Sequence, residues 1–231
     1  MNSIGGNQGV GGPIPRNAIG GENFIRHIGN DKLIYDFKSG NGTTVKDKSR
    51  EGNDGTFGAG DAAPTWKRNA LYFDGGDDVI FSGIHTTGID FTFIIVATPD
   101  TVSVNNRGWF GAVTWGAGFF VSGDIPNNGR VVLTSTAVKT INSGLHINLA
   151  ENFIAVSMNT PSLQTFFVNG IVKQRTETPN FNNKKTTRLG SGRIGEQYWV
   201  GTIRKAKIIH KALSQIEIQQ HYLANKFAGN N

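Results

Sequence analysis

The sequence predicts an all-β fold, a two-layer sandwich with one helix near the C-terminus. Three observations carry this. From Lys32 onward the chain is a series of short runs rich in β-branched and aromatic residues, each bounded by turn residues. It holds 31 glycines in 231 residues, which suits many tight turns better than long helices. One stretch alone, SQIEIQQHYLANKF at residues 214–227, opens with the start signal of a helix.

Taken in order, KLIYDF, ALYF, DVIF, FTFIIVAT, GFFVS, RVVLTS, FIAVSM, LQTFFVNGIV and VGTIRKAKII read as strands, with GNG, GGD, NNR, PNNGR and NFNNKK between them. FTFIIVAT is apolar at both parities, so both of its faces are expected to be covered, as in a sandwich strand with something packed outside it. Asn169-Gly170 is the strongest hairpin signal, because a type I′ turn needs positive φ at both central residues. In the helix, Ser214 stands three before Glu217, the spacing of a capping box. Its apolar residues Ile216, Ile218, Tyr222, Leu223 and Phe227 follow helical spacing only loosely. Residues 1–30 differ: seven of the first 21 are glycine, with Pro13 and Pro15 among them and few apolar side chains. Such a segment cannot offset its own ordering entropy. It is expected to be an extended arm, with residues 31–231 forming the domain.

Composition removes several classes of function. Without cysteine there is no disulfide framework, thiolate metal site or cysteine nucleophile. The N-terminus lacks a basic start followed by an apolar run, so no Sec-type signal is read and synthesis in the cytoplasm is expected. The longest apolar stretch, GWFGAVTWGAGFFV, is shorter than the roughly 20 residues that span a bilayer. From Lys173 onward there are eleven Lys or Arg against three Glu, a net of +8 that leaves −2 for the rest. A basic surface can steer a protein toward anionic polymers. No nucleic-acid motif accompanies the charge, so a solvated strand face is the simpler reading, and neither nucleic acid nor membrane is expected as a partner.

The order of pieces resembles the laminin G-like branch of the concanavalin A-like lectin and glucanase superfamily. LIYDF, DKSREGNDGTF, and APTW followed by NALYFDGGDDVIF are similar to that family's opening strands and acidic turn. FTFIIVATPD is similar to its next long strand, NFIAVSMNT and TFFVNGIV to its paired late strands, and WVGTIRKAKIIHKALSQIEIQQHY to its closing strand, turn and terminal helix. The resemblance covers roughly residues 32 to 223. It implies a two-sheet antiparallel jelly roll with one short C-terminal helix, but it does not fix function.

Glucanases of this superfamily carry their acid and nucleophile on alternate residues of one strand, which brings the carboxylates to the roughly 5 Å that retaining hydrolysis requires. None of the 17 acids here forms such a run. The acids cluster instead as Asp47/Glu51/Asp54 and Asp74/Asp77/Asp78, both interrupted by glycine. GSGRIG at 190–195 precedes a strand-like stretch where a dinucleotide site needs a helix, no G-x-S-x-G elbow occurs, and the five histidines share no ligand spacing. No catalytic residue is therefore assigned, and a glycoside hydrolase is the third reading of function.

The resemblance makes calcium a second use for Asp47, Asn53, Asp54, Asp74, Asp77 and Asp78, whose oxygens suit that ion. The simpler expectation is a pair of turns closed by Asx caps and ion pairs, with Arg204 and Lys205 as partners for the acids of the second turn. No other cofactor is expected. Sugar recognition requires aromatic faces beside amides and carboxylates. Asn105, Asn106, Arg107, Trp109, Trp115, Asp124, Asn127 and Asn128 fit that description, while Trp66, Tyr198 and Trp199 are less clear.

The leading expectation is a non-catalytic surface protein of a bacteriophage virion, a capsid decoration protein or a tail or fibre component. Residues 1–30 would bind other virion proteins, and the jelly roll would face outward. The arm is consistent with a homo-oligomer, a trimer among the options. The second expectation, compatible with the first, is a lectin-like module for bacterial cell-surface polysaccharide.

Overall fold

A computed structural model describes residues 25–27, 29–38, 40–86, 90–102, 107–112, 118–122, 129–134, 140–159, 163–177, 185–191 and 198–228. Two antiparallel sheets face each other across one core.

Sheet A contains β1 (Asp31–Asp36), β4 (Thr65–Lys67), β5 (Ala70–Asp74), β7 (Phe91–Pro99), β12 (Asn152–Asn159), β13 (Leu163–Val168), β14 (Ile171–Thr176) and β16 (Val200–Ile209), in the order β14-β13-β12-β7-β16-β5-β4. β16 pairs with β7 along one side and divides its other side, giving Val200–Ile203 to β5 and Lys205–Ile209 to β1. A bulge between Ile203 and Lys205 makes this division possible: it changes which residues face inward, so that Ile203, Ala206 and Ile208 enter the core while Ile209 faces outward.

Sheet B contains β2 (Thr44–Val45), β3 (Gly55–Phe57), β6 (Ile80–Thr86), β8 (Arg107–Ala112), β9 (Gly118–Ser122), β10 (Arg130–Thr134), β11 (Thr140–His146) and β15 (Lys185–Leu189), in the order β11-β10-β9-β8-β15-β6-β3-β2. The crossing from β5 to β6 moves the chain from one sheet to the other, so the acidic stretch Asp74–Asp78 is a corner of the sandwich, not a hairpin.

The core between the sheets is built from aromatic and branched side chains, among them Tyr35, Phe37, Phe73, Ile95, Trp109, Val156, Phe166, Leu189 and Trp199. A second, smaller core lies outside sheet A. The helix α1 (Gln215–Ala228) lays Ile218 and Tyr222 over Ile94, Val96, Phe153, Ala155, Phe167 and Ile209, and Phe153, Phe167 and Tyr222 meet ring to ring. The double apolar character of FTFIIVAT is thereby accounted for: Phe93, Ile95 and Ala97 face the inner core, Ile94 and Val96 the helix.

The expected capping box is formed. Ser214 Oγ accepts from the Glu217 amide, and Glu217 Oε2 accepts from the Ser214 amide at 2.8 Å. Asn169 and Gly170 both have positive φ, 50° and 100°, as the predicted hairpin requires. At the open edge of the sandwich, Arg175 on β14 reaches across to sheet B, donating from Nε to Asn142 O and from Nη2 to Ser143 O, each at 2.8 Å.

Candidate binding face

The two outer faces of the sandwich differ in what covers them. α1 and its apolar residues close the outside of sheet A. Among the described residues no helix or second sheet lies on the outside of sheet B. The register fixes what is presented there. Ile80 on β6 and Leu189 on β15 are cross-strand partners that both point into the core, so their neighbours Phe81 and Arg188, also partners, point outward. Phe81 is 38% exposed, a large ring that keeps part of its surface in solvent. Beside it Gly83 has φ 68°, and a Cβ there would meet nothing within 4 Å. A ring flanked by bare backbone gives a planar apolar platform, the shape that accepts the C–H face of a sugar.

The residues expected at such a site are only partly placed. Asn105, Asn106, Trp115, Asp124, Asn127 and Asn128 lie outside the described residues, and Arg107 is the first residue of β8. Trp109 is corrected: it is fully buried, its ring 5.1 Å from that of Trp199, and forms part of the core, so it presents no face to a ligand. Trp66 is also structural. It packs on Phe37 and Phe57, donates from Nε1 to Gly42 O at 2.9 Å, and lies so close under Gly40 that a Cβ there would come within 2.3 Å of its ring.

Both acidic clusters are internally engaged. Asp47 Oδ1 accepts from the amides of Ile34 and Ser49 at 2.8 Å, and its Oδ2 accepts from the Ser49 hydroxyl and the Asn53 amide. Asp54 accepts from the Asp47 amide at 2.9 Å and pairs with Lys46, whose hydrogen bond holds the Asp54 carboxyl below its usual range. Asn53 Nδ2 donates to Lys32 O, and Tyr35 donates its hydroxyl to Asn53 O. The cluster therefore fastens the 46–54 loop to β1.

In the second cluster Asp74 Oδ1 accepts from the Gly76 amide and Asp78 Oδ2 from the Asp74 amide, each at 2.7 Å. Asp78 is buried, and burial raises its carboxyl to about 6. Among the described residues no three His, Cys, Asp or Glu stand together as a metal site, as a calcium cage of six to eight oxygens would need. The residues do not fit the ion. The expected pairing with Arg204 and Lys205 is corrected too. Arg204 forks onto Glu151 at 2.6 and 2.7 Å and reaches Asn225, while Lys205 is buried near Asp36.

A two-sheet antiparallel sandwich with a short C-terminal helix is the architecture of the concanavalin A-like jelly rolls. The chain belongs to the concanavalin A-like lectin/glucanases superfamily, whose family model matches residues 73–219. No curated protein matches it. Among solved structures it is similar to domain 4 of AbnA, a GH43 extracellular arabinanase from Geobacillus stearothermophilus, in complex with arabinotriose. That likeness has 14% identity and a TM-score of 0.66 over 84% of this chain and 98% of that one. It is also similar to Trypanosoma rangeli sialidase in complex with sialic acid, at 15% identity and a TM-score of 0.64 over 87% of this chain. A third likeness is to the binding domain of botulinum neurotoxin serotype D, at 14% identity and a TM-score of 0.61 over 85% of this chain. The chain spans 34% of the sialidase chain and 51% of the neurotoxin domain. At these identities the likenesses show the fold.

Proposed function

We propose that this protein is a non-catalytic, lectin-like module that binds saccharide on the outer face of sheet B. The observation that carries the reading is the asymmetry of the two faces among the described residues: α1 closes one, and the other leaves Phe81 partly exposed beside Gly83. Of the clustered carboxylates, Asp47, Asp54, Asp74 and Asp78 accept from backbone amides and Glu51 and Asp54 pair with lysines, which argues against an acid and nucleophile pair among them. The similar arabinanase domain, bound to arabinotriose, is matched over nearly its whole length, which favours a self-standing saccharide-binding unit. Phe81→Ala tests this. Saccharide affinity should fall by roughly tenfold with the thermal midpoint nearly unchanged; unaltered affinity would remove this face from consideration.

A second reading, compatible with the first, is display on a bacteriophage virion through residues 1–30, alone or as a homo-oligomer. Its basis is the Gly- and Pro-rich composition of residues 1–30; Lys207 Nζ donates to Ile25 O at 2.6 Å and His27 meets His221, so residues 25–27 are held against their own domain beside α1. Deleting residues 1–24 should abolish incorporation into particles and spare folding; normal assembly of the truncated protein would sink the anchoring role.

A further inference from the structure

The outer face of sheet B also holds a buried cation. Arg188 is only 8% exposed, although it stands on the outward side of β15, between Phe81 on β6 and Gly111 on β8. Its Nε and Nη2 have no hydrogen-bond partner. Two other arginines show what those atoms normally do. Arg175 places Nε and Nη2 on the carbonyls of Asn142 and Ser143, and Arg204 places the same two atoms on the two oxygens of Glu151. Nε and Nη2 form the side-on fork of a guanidinium, the pair that meets both oxygens of a carboxylate at once. In Arg188 that fork has no protein partner and lies beneath the surface. The ionisable group acting on it is Tyr198, and no carboxylate pairs with it among the described residues.

A guanidinium edge withdrawn from water with Nε and Nη2 unbonded opposes folding, so its place on the outward side of the strand calls for a ligand that completes it. We propose that Arg188 anchors the carboxylate of an acidic saccharide, a uronic or sialic acid residue, whose ring rests on Phe81. This rests on the saccharide-binding reading and adds the class of sugar. Gly83 and Gly111 flank the pair without side chains, so a ligand meets only backbone at those two positions.

Calorimetric titration of the full chain tests it, with trigalacturonate and sialyllactose as carboxylate saccharides, arabinotriose and maltotriose as neutral ones, and lactose sulfate as a second anion. The carboxylate saccharides should bind about tenfold tighter than the neutral ones or better. Arg188→Met should erase that advantage and keep or raise the thermal midpoint, because it removes an unsatisfied buried charge. Equal affinity for acidic and neutral sugars, or a persisting acidic preference in R188M, overturns the anchor while the saccharide reading stands. Lactose sulfate binding as tightly as sialyllactose, and equally dependent on Arg188, overturns the carboxylate assignment. Binding of no saccharide at all overturns both readings. If R188M unfolds, Arg188→Lys decides, since it keeps the charge without the fork: undiminished acidic preference in R188K overturns the proposal.

Discussion

His27 Nε2 and His221 Nε2 lie 2.9 Å apart, joining the segment that precedes β1 to the middle of α1. Such a contact needs one ring to donate and the other to accept, so at most one of the two facing nitrogens carries a proton. The surroundings enforce this. Lys207 lies beneath the pair, bound to Asp31 at 2.8 Å and to Ile25 O, and burial together with the Lys207 charge pushes both histidines below their ordinary value. Asp31 and Glu217 act in the other direction on His27, and Lys211 adds to Lys207.

Acid should therefore loosen this junction. Both histidines are held neutral in the folded protein, so the unfolded chain binds more protons below pH 6.5. The stability that the pair contributes is complete above that value and is lost as pH falls through the lowered folded values. The slope is about 1.4 kcal/mol per pH unit for each ring kept neutral. Denaturant titrations from pH 8 to pH 5 should show this decline, and the His27→Gln, His221→Gln double variant should flatten it; the same slope in the variant would place the effect elsewhere.

Trp109→Ala should behave as a core deletion. With its ring fully buried against Trp199, the loss is expected at about 3 to 5 kcal/mol by chemical denaturation. A stable variant that has lost only saccharide affinity would return Trp109 to the binding face.

Much of the fold was legible because the strongest signals were local. Asn169-Gly170, the Ser214/Glu217 box and the two-sided apolar run of β7 each specify their own geometry, and each is found as expected. β11 and β15 were not read as strands. TINSGLH turns Ile141, Ser143 and Leu145 inward with Asn142, Gly144 and His146 between them, an alternation carried by residues of low β-propensity. KTTRL offers one branched apolar residue, Leu189, and its outward Arg188 looks like any surface charge until register shows what surrounds it. The site was the least legible part. Whether a tryptophan faces solvent or core depends on pairing across the sheet, and Trp109 and Phe81 could be told apart only by that pairing.

Arg175 should prove to be a strap between the sheets. Its two bonds to Asn142 O and Ser143 O join β14 to β11 at the open edge of the sandwich, where no strand pairing does so. Arg175→Ala should cost about 1 to 3 kcal/mol, read as a shift in denaturation midpoint, and hydrogen exchange should rise in β11 before β7. Unchanged exchange in β11 would show that packing alone holds this edge.

Asp78 should oppose the histidines in its pH dependence. Burial is the main cause of its raised value, so folding favours its neutral form, and the stability it lends is complete below pH 3.8 and lost as pH rises through about 6. Asp78→Asn keeps a carbonyl oxygen to accept from the Asp74 amide and removes the charge. The variant should be more stable than the parent by about 3 kcal/mol at pH 8 and nearly equal to it at pH 4. Calcium should leave the parent's thermal midpoint unmoved, since among the described residues no group of three His, Cys, Asp or Glu is placed to hold it. A midpoint raised by calcium and insensitive in Asp78→Asn would mean that this corner is an ion site, with the ion and not the Asp74 amide setting the geometry of the turn between the sheets.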